Sequence, residues 1–166
     1  MPQSAPTVQN KDAYMVYRVG GHLYAAPVIC VLEVVLTESL ISLPDASTYI
    51  AGIAHFRGKV IPIIDTVKRL ALPFNGDNSY SYIVVFEVEV DGINRTFGAL
   101  VSKVLSVGEY SRAEIREVDV MPSDIGSPSY IKGIIEHDNE YIIVVSPAKF
   151  ISNEDYSNIT NNVSEN

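Results

Sequence analysis

The sequence predicts a mainly β protein built from two small barrels. Three observations point there. Short apolar runs such as "VICVL" and "YIVVF" alternate with glycine- and asparagine-bearing turns. A strand–turn–strand segment near residue 50 recurs without a gap near residue 130. Each repeat holds four or five short strands, too few for a wide sandwich, and a small, partly open barrel protects their edges. With 166 residues, 47% of them apolar, the chain suits one domain or two mutually dependent halves.

The elements follow in order. Residues 1 to 12 are polar and read as a disordered tail. The folded body runs from residue 13 to 151. "YRVGGHLYAA" is a strand, a Gly20-Gly21 turn and a second strand. Pro27 then suits a first helical turn. Val28, Val31, Leu32 and Val35 recur at helical spacing, which predicts a short helix. "YIAGIAHFRGKVIPIID" is a hairpin turning at Arg57-Gly58, with Pro62 implying an edge or a bulge. Asp65 caps the short helix "TVKRLAL". "NGDNSY", 75 to 80, is turn-rich and joins the halves.

The second half repeats the plan. "VEVDGINRTFGAL" turns at Asp91-Gly92, and Val101, Val104 and Leu105 again show helical spacing. "YIKGIIEHDNEYIIVV" turns at Asp138-Asn139, and Ser146-Pro147 caps the short helix "PAKFI". Tyr49 matches Tyr130, Gly52 matches Gly133, and Lys68 matches Lys149. The units are about 13 to 75 and about 80 to 151, one barrel each, with the helical stripes buried between them. Residues 152 to 166 read as a second disordered tail.

Composition excludes several functions. The net charge is −8, and no basic cluster exceeds Lys68-Arg69. That argues against nucleic acid and against an anionic membrane surface. No apolar run approaches the roughly 18 residues of a membrane span. "MPQSAPTVQNKDAY" holds no signal-peptide core, so a cytoplasmic location is expected. The single cysteine, Cys30, excludes an internal disulfide. His22, His55 and His137 lack metal-ligand spacing, and there is no phosphate loop or nucleophile elbow. Neither an active site nor a cofactor is expected. A ligand binder or enzyme using His55 and His137 is the alternative from another class.

What remains is surface that the fold does not require. On a helix, Glu33 would stand roughly 140° from Val28, away from the apolar stripe. Arg57 and Lys59 share one hairpin turn with Gly58. Arg57 pairs with Glu33 if the first helix packs near that hairpin. The pair is either a weak surface bridge or a recognition site, for which arginine's planar fork is suited.

These residues carry a resemblance. "YIAGIAHFRGKVIPIID" resembles the signature of CheW-like chemotaxis coupling domains, close to G-x-x-N-L-R-G-x-x-x-P-x-x-D-L, through Gly52, Phe56, Arg57, Gly58, Pro62 and Asp65. "APVICVLEVV", "TFGALVSKVLSV" and "YIKGIIEHDNEYIIVV" resemble other family segments, with Glu33 at a characteristic glutamate. The resemblance covers about 13 to 151. Three positions depart from it: His55 for asparagine, and Ser102 and Ser146 for aspartates. The first two bear on partner choice.

The resemblance implies two five-stranded SH3-like barrels and a non-enzymatic adaptor. It implies two partners, the cytoplasmic tip of a chemoreceptor and the CheW-like regulatory domain of a sensor histidine kinase, met at membrane-bound receptor arrays. The expected receptor groove lies between the barrels, lined by Val28, Val31, Val101 and Val104, with Arg57 and Glu33 setting register. A chemosensory pathway controlling type IV pili, gliding or development is the alternative of the same fold.

Overall fold

The computed structural model describes residues 10–37, 40–70, 80–117 and 128–164. Residues 1–9 of the N-terminal tail and 75–79 of the joining segment lie outside them. The strands are β1 (Lys11–Val19), β2 (His22–Pro27), β3 (Val31–Leu36), β4 (Ile50–Phe56), β5 (Lys59–Ile64), β6 (Tyr82–Val90), β7 (Ile93–Val101), β8 (Lys103–Ser111), β9 (Ile131–His137) and β10 (Glu140–Val145). Two α-helices, α1 (Thr66–Arg69) and α2 (Asn153–Ser164), complete the regular elements with a few single turns of 3-10 helix.

Four hairpins are built alike. β1–β2, β4–β5, β6–β7 and β9–β10 each turn on two residues with positive φ: Gly20-Gly21, Arg57-Gly58, Asp91-Gly92 and Asp138-Asn139. Two left-handed residues give the turn whose twist matches that of paired strands. The hairpins expected from sequence therefore fall where the turn chemistry places them.

The barrels do not follow the repeat boundaries. One sheet runs β8-β1-β2-β10-β9 and the other β3-β6-β7-β5-β4. Each barrel takes a hairpin from one half of the chain and three strands from the other. The units 13 to 75 and 80 to 151 are thus sequence repeats, not separate barrels. The cause is local. After β2 a single 3-10 turn, Val28–Cys30, redirects the chain into β3 of the other sheet. After β7, Ser102 alone separates it from β8. The exchange is sealed by parallel pairing of β2 with β10 and of β5 with β7.

Of the helix expected over 28–35 only the Val28–Cys30 turn is helical, and 31–35 and the 101–105 segment are strand apart from Ser102. "VLEVVL" and "KVLSVGEYS" are rich in β-branched residues, and short apolar runs do not distinguish the two periods. Pro62 lies on an interior strand, but the β5–β7 ladder pairs only Ile63 and Ile64, so its missing N–H falls outside that ladder.

Among the described residues each barrel closes by one bridge. Ile41 pairs with Ile53, and Arg116 pairs with Ile134. Both bridges exchange two backbone hydrogen bonds of 2.8–3.1 Å. The repeat-matched glycines permit this approach. A Cβ on Gly52 would lie 2.5 Å from the Ile41 carbonyl oxygen, and one on Gly133 would lie 2.6 Å from that of Arg116.

Three apolar clusters result. One fills the first barrel around Val16, Ala25, Ile142 and Val144. Another fills the second around Ile61, Ile63, Ile83 and Val85. The largest lies between the sheets and unites Tyr17 and Tyr24 of the first with Phe86, Phe97 and Val101 of the second.

The chain ends also differ from expectation. Lys11 and Asp12 already belong to β1. Residues 153–164 form α2, with Ile159 buried against the central cluster. Ser152 caps it: the Asp155 N–H donates to Ser152 Oγ at 3.1 Å. At the repeat-matched caps, Asp65 accepts from the Lys68 N–H, whereas Ser146 makes no side-chain cap bond and Pro147 alone marks the turn. Among the described residues no helix is long and apolar enough to cross a membrane.

Candidate functional site

Arg57 stands in the left-handed region at φ 48. The same turn position is glycine in one hairpin and aspartate in two others. Those residues suit that conformation; an arginine there costs up to about 1–2 kcal/mol. Gly58 has φ 77 and open space around it, so its role is conformational. The arginine is thus held where the turn favours other residues.

That side chain is 62% exposed and reaches Glu33, with Nη2 to Oε2 at 3.4 Å. Its guanidinium also lies 4.9 Å from the centre of the Phe56 ring. A register shift between Val31 and Glu33 places a bulge in β3. Bulges re-aim side chains, and here Leu32, Glu33 and Val34 are exposed in succession. The expected pair forms, but from a bulged strand and not from a helix. Both partners are largely in water, so it contributes under about 1 kcal/mol. Lys59 is exposed on the same turn.

The four valines separate. Val28, Val31 and Val104 are half-buried at the margin of the central cluster. Val28 also lines an open cavity of about 940 Å³ beside Ile29, which is 92% exposed. Val101 has no exposed surface and belongs to the core. It cannot line a groove, and its placement there is corrected: as the last residue of β7 it faces the sheet-to-sheet cluster. His55 and His137 lie on different sheets, and His137 contacts Asp138 at 3.2 Å on the surface.

A polar cluster where the two repeats meet is not legible in the sequence. Arg69 lies between the Tyr49 and Tyr130 rings, at 4.3 and 4.4 Å from their centres. It donates to the carbonyls of Phe150 (2.5 Å) and Lys149 (3.2 Å). In the gapless repeat Arg69 and Phe150 are equivalent positions, as are the two tyrosines, so symmetry-related residues touch. The matched tyrosines are its trace there. α2 was missed as well, although "SNED" at 152–155 has the spacing of a capping box.

The CheW-like domain family matches residues 13–155. The chain belongs to the CheW-like domain family. Its members are non-enzymatic scaffold and adaptor proteins. Relatives agree along almost the whole length. A chemotaxis protein CheW of Treponema pallidum is 25% identical over 162 residues, covering 94% of this chain and 92% of that protein. Protein PilI of Pseudomonas aeruginosa is 22% identical over 127 residues, covering 76% and 68%. The scaffolding protein TtCheW from Thermoanaerobacter tengcongensis has the same fold, with a TM-score of 0.73 at 25% identity, covering 90% of this chain and 94% of that one. The CheW-like architecture accounts for the intertwined pair of five-stranded sheets.

Proposed function

We propose that this chain works in the cytoplasm as an adaptor, coupling the tip of a membrane-bound chemoreceptor to the CheW-like regulatory domain of a sensor histidine kinase. The observation that supports this most is Arg57, kept in a left-handed turn with its guanidinium exposed beside Glu33. An arginine held against its conformational preference, in a weak pair, fits a contact with another protein. Val28, Val31 and Val104 supply half-buried apolar surface, while Gly58 shapes the turn and Lys59 adds charge. No cofactor is needed, because the act is to hold two partners in fixed geometry.

A second reading places the same coupling in a pathway controlling type IV pili, gliding or development. The similarity to PilI favours it. The kinase recovered with the protein distinguishes the two.

Affinity co-purification from the native cell tests both, comparing wild type with Arg57→Glu and Arg57→Asn. Wild type is expected to recover a histidine kinase and a chemoreceptor. Both variants are expected to lose at least one partner while unfolding cooperatively. Arg57→Asn suits the left-handed turn and should unfold at or above the wild-type temperature. Recovery of both partners by the folded variants would remove Arg57 from the interface. Recovery of neither partner by wild type would sink the adaptor reading.

A further inference from the structure

We propose that α2 is a displaceable cover over a second docking face, on the β5–β7 barrel, and that the face accepts an acidic helix from a partner protein. The inference does not depend on which pathway the adaptor serves.

Arg95 is the residue that points to it. It lies on β7 with only 6% of its surface exposed. Among the described residues no carboxylate pairs with it, and its Nη1 has no hydrogen-bond partner. What covers it is Tyr156 of α2, whose ring centre lies 5.3 Å from the guanidinium. A buried cation without an anion is costly, and proteins normally pair such groups. Among the described residues, burial under α2 thus leaves the charge facing a ring and no anion. A carboxylate in place of Tyr156 would compensate it.

The attachment of α2 is also limited. Among its side chains described, Ile159 is the buried apolar anchor. Tyr156 also packs, half-buried, against the central cluster, and the other ties are polar. The Asp155 carboxylate accepts from Ser47 Oγ (2.8 Å) and the Tyr49 hydroxyl of the body, beside its bond from the capping Ser152 Oγ (2.9 Å). The Tyr156 hydroxyl accepts from the Thr96 N–H at 3.2 Å. The helix contains no lysine or arginine, so a displacing acidic helix would repeat its charge sign. Polar ties exchange readily with water, and a 12-residue helix is marginal unless docked. The covered face borders the β4–β5 hairpin: Lys59, Val60 and Ile61 share a cleft with Tyr156 and with Glu87 of β6, so Lys59 and Arg95 are the cations that would meet an acidic helix there.

Hydrogen exchange on the full chain tests the cover. The amides of 157–161 should exchange at least roughly 100-fold faster than those of β6, reporting local opening. Arg95→Met removes the cation at similar volume and should slow exchange in α2. Faster or unchanged exchange in that variant overturns the proposal, as does exchange in α2 equal to that of β6. If Arg95→Met does not fold, Arg95→Gln serves for the same comparison. The docking face is tested with a labelled synthetic peptide of residues 152–164 carrying Tyr156→Glu. It should bind the full chain about tenfold tighter than the unmodified peptide, as a charge-assisted bond predicts, and lose that advantage against the arginine variant. Equal binding of the two peptides overturns the acidic-helix assignment. Neither assay uses receptor or kinase, so the adaptor reading stands or falls separately.

Discussion

Replacing Arg69 with leucine should weaken the fold more than any exposed charge would. Arg69 is half-buried and touches both halves of the repeat. It stacks between Tyr49 and Tyr130 at 4.3 and 4.4 Å and donates to two carbonyls at 2.5 and 3.2 Å. A cation–ring contact at a partly exposed site contributes about 0.5–1 kcal/mol. A hydrogen bond from a charged donor contributes about 1.5–3 kcal/mol when buried. The Lys149 bond is long and exposed, and water replaces part of what is lost. The expected loss is therefore about 3 kcal/mol, or roughly 6–12 °C in Tm for a chain of this size. Arg69→Lys keeps the charge but not the planar fork, and should lose about half as much. Urea titration of the three proteins measures the differences directly. A loss below about 1 kcal/mol for leucine, or a lysine variant equal to wild type, would refute the argument.

Further outcomes follow from other sites. Gly52→Ala and Gly133→Ala should each destabilise by about 1–3 kcal/mol in denaturant titration, because each new Cβ meets the backbone of a closing bridge. Tyr17→Phe should be neutral or stabilising by up to about 1 kcal/mol, since among the described residues the Tyr17 hydroxyl is buried without a hydrogen-bond partner and its phenol pKa is raised by burial and by neighbouring Tyr24. Partial burial alone would raise the Asp155 pKa, but bonds from Tyr49, Ser47 and Ser152, with nearby Arg69, hold the carboxyl below its usual value. A lowered folded pKa contributes stability above the unfolded value and loses it as pH falls through the folded one. The stability gap between wild type and Asp155→Asn should thus be full above about pH 5 and shrink below about pH 4.

Much of the fold was legible because it rests on local chemistry. Two-residue turns need left-handed positions, and Gly20-Gly21, Asp91-Gly92 and Asp138-Asn139 announce them. Arg57-Gly58 was legible by the same rule, with the arginine as its exception. The Arg57–Glu33 pair was anticipated, though by the wrong route. "VICVLEVV" satisfies helical spacing over too short a run to exclude a strand, so the sequence alone puts Glu33 on a helix. The bulge that turns Glu33 toward Arg57 depends on pairing with β6, about fifty residues away in sequence.

By itself the sequence determined the β class, the four turns, the repeat and the resemblance to a coupling family, since each depends on residues near one another in the chain. Only the tertiary structure decided which strands share a barrel, because β2–β10 and β5–β7 are long-range parallel pairings that no local pattern encodes. It also decided that Val101 is core, that Arg69 meets the opposite repeat and that Arg95 lies under α2. A side chain's role depends on what packs against it, and those neighbours come from the other half of the chain.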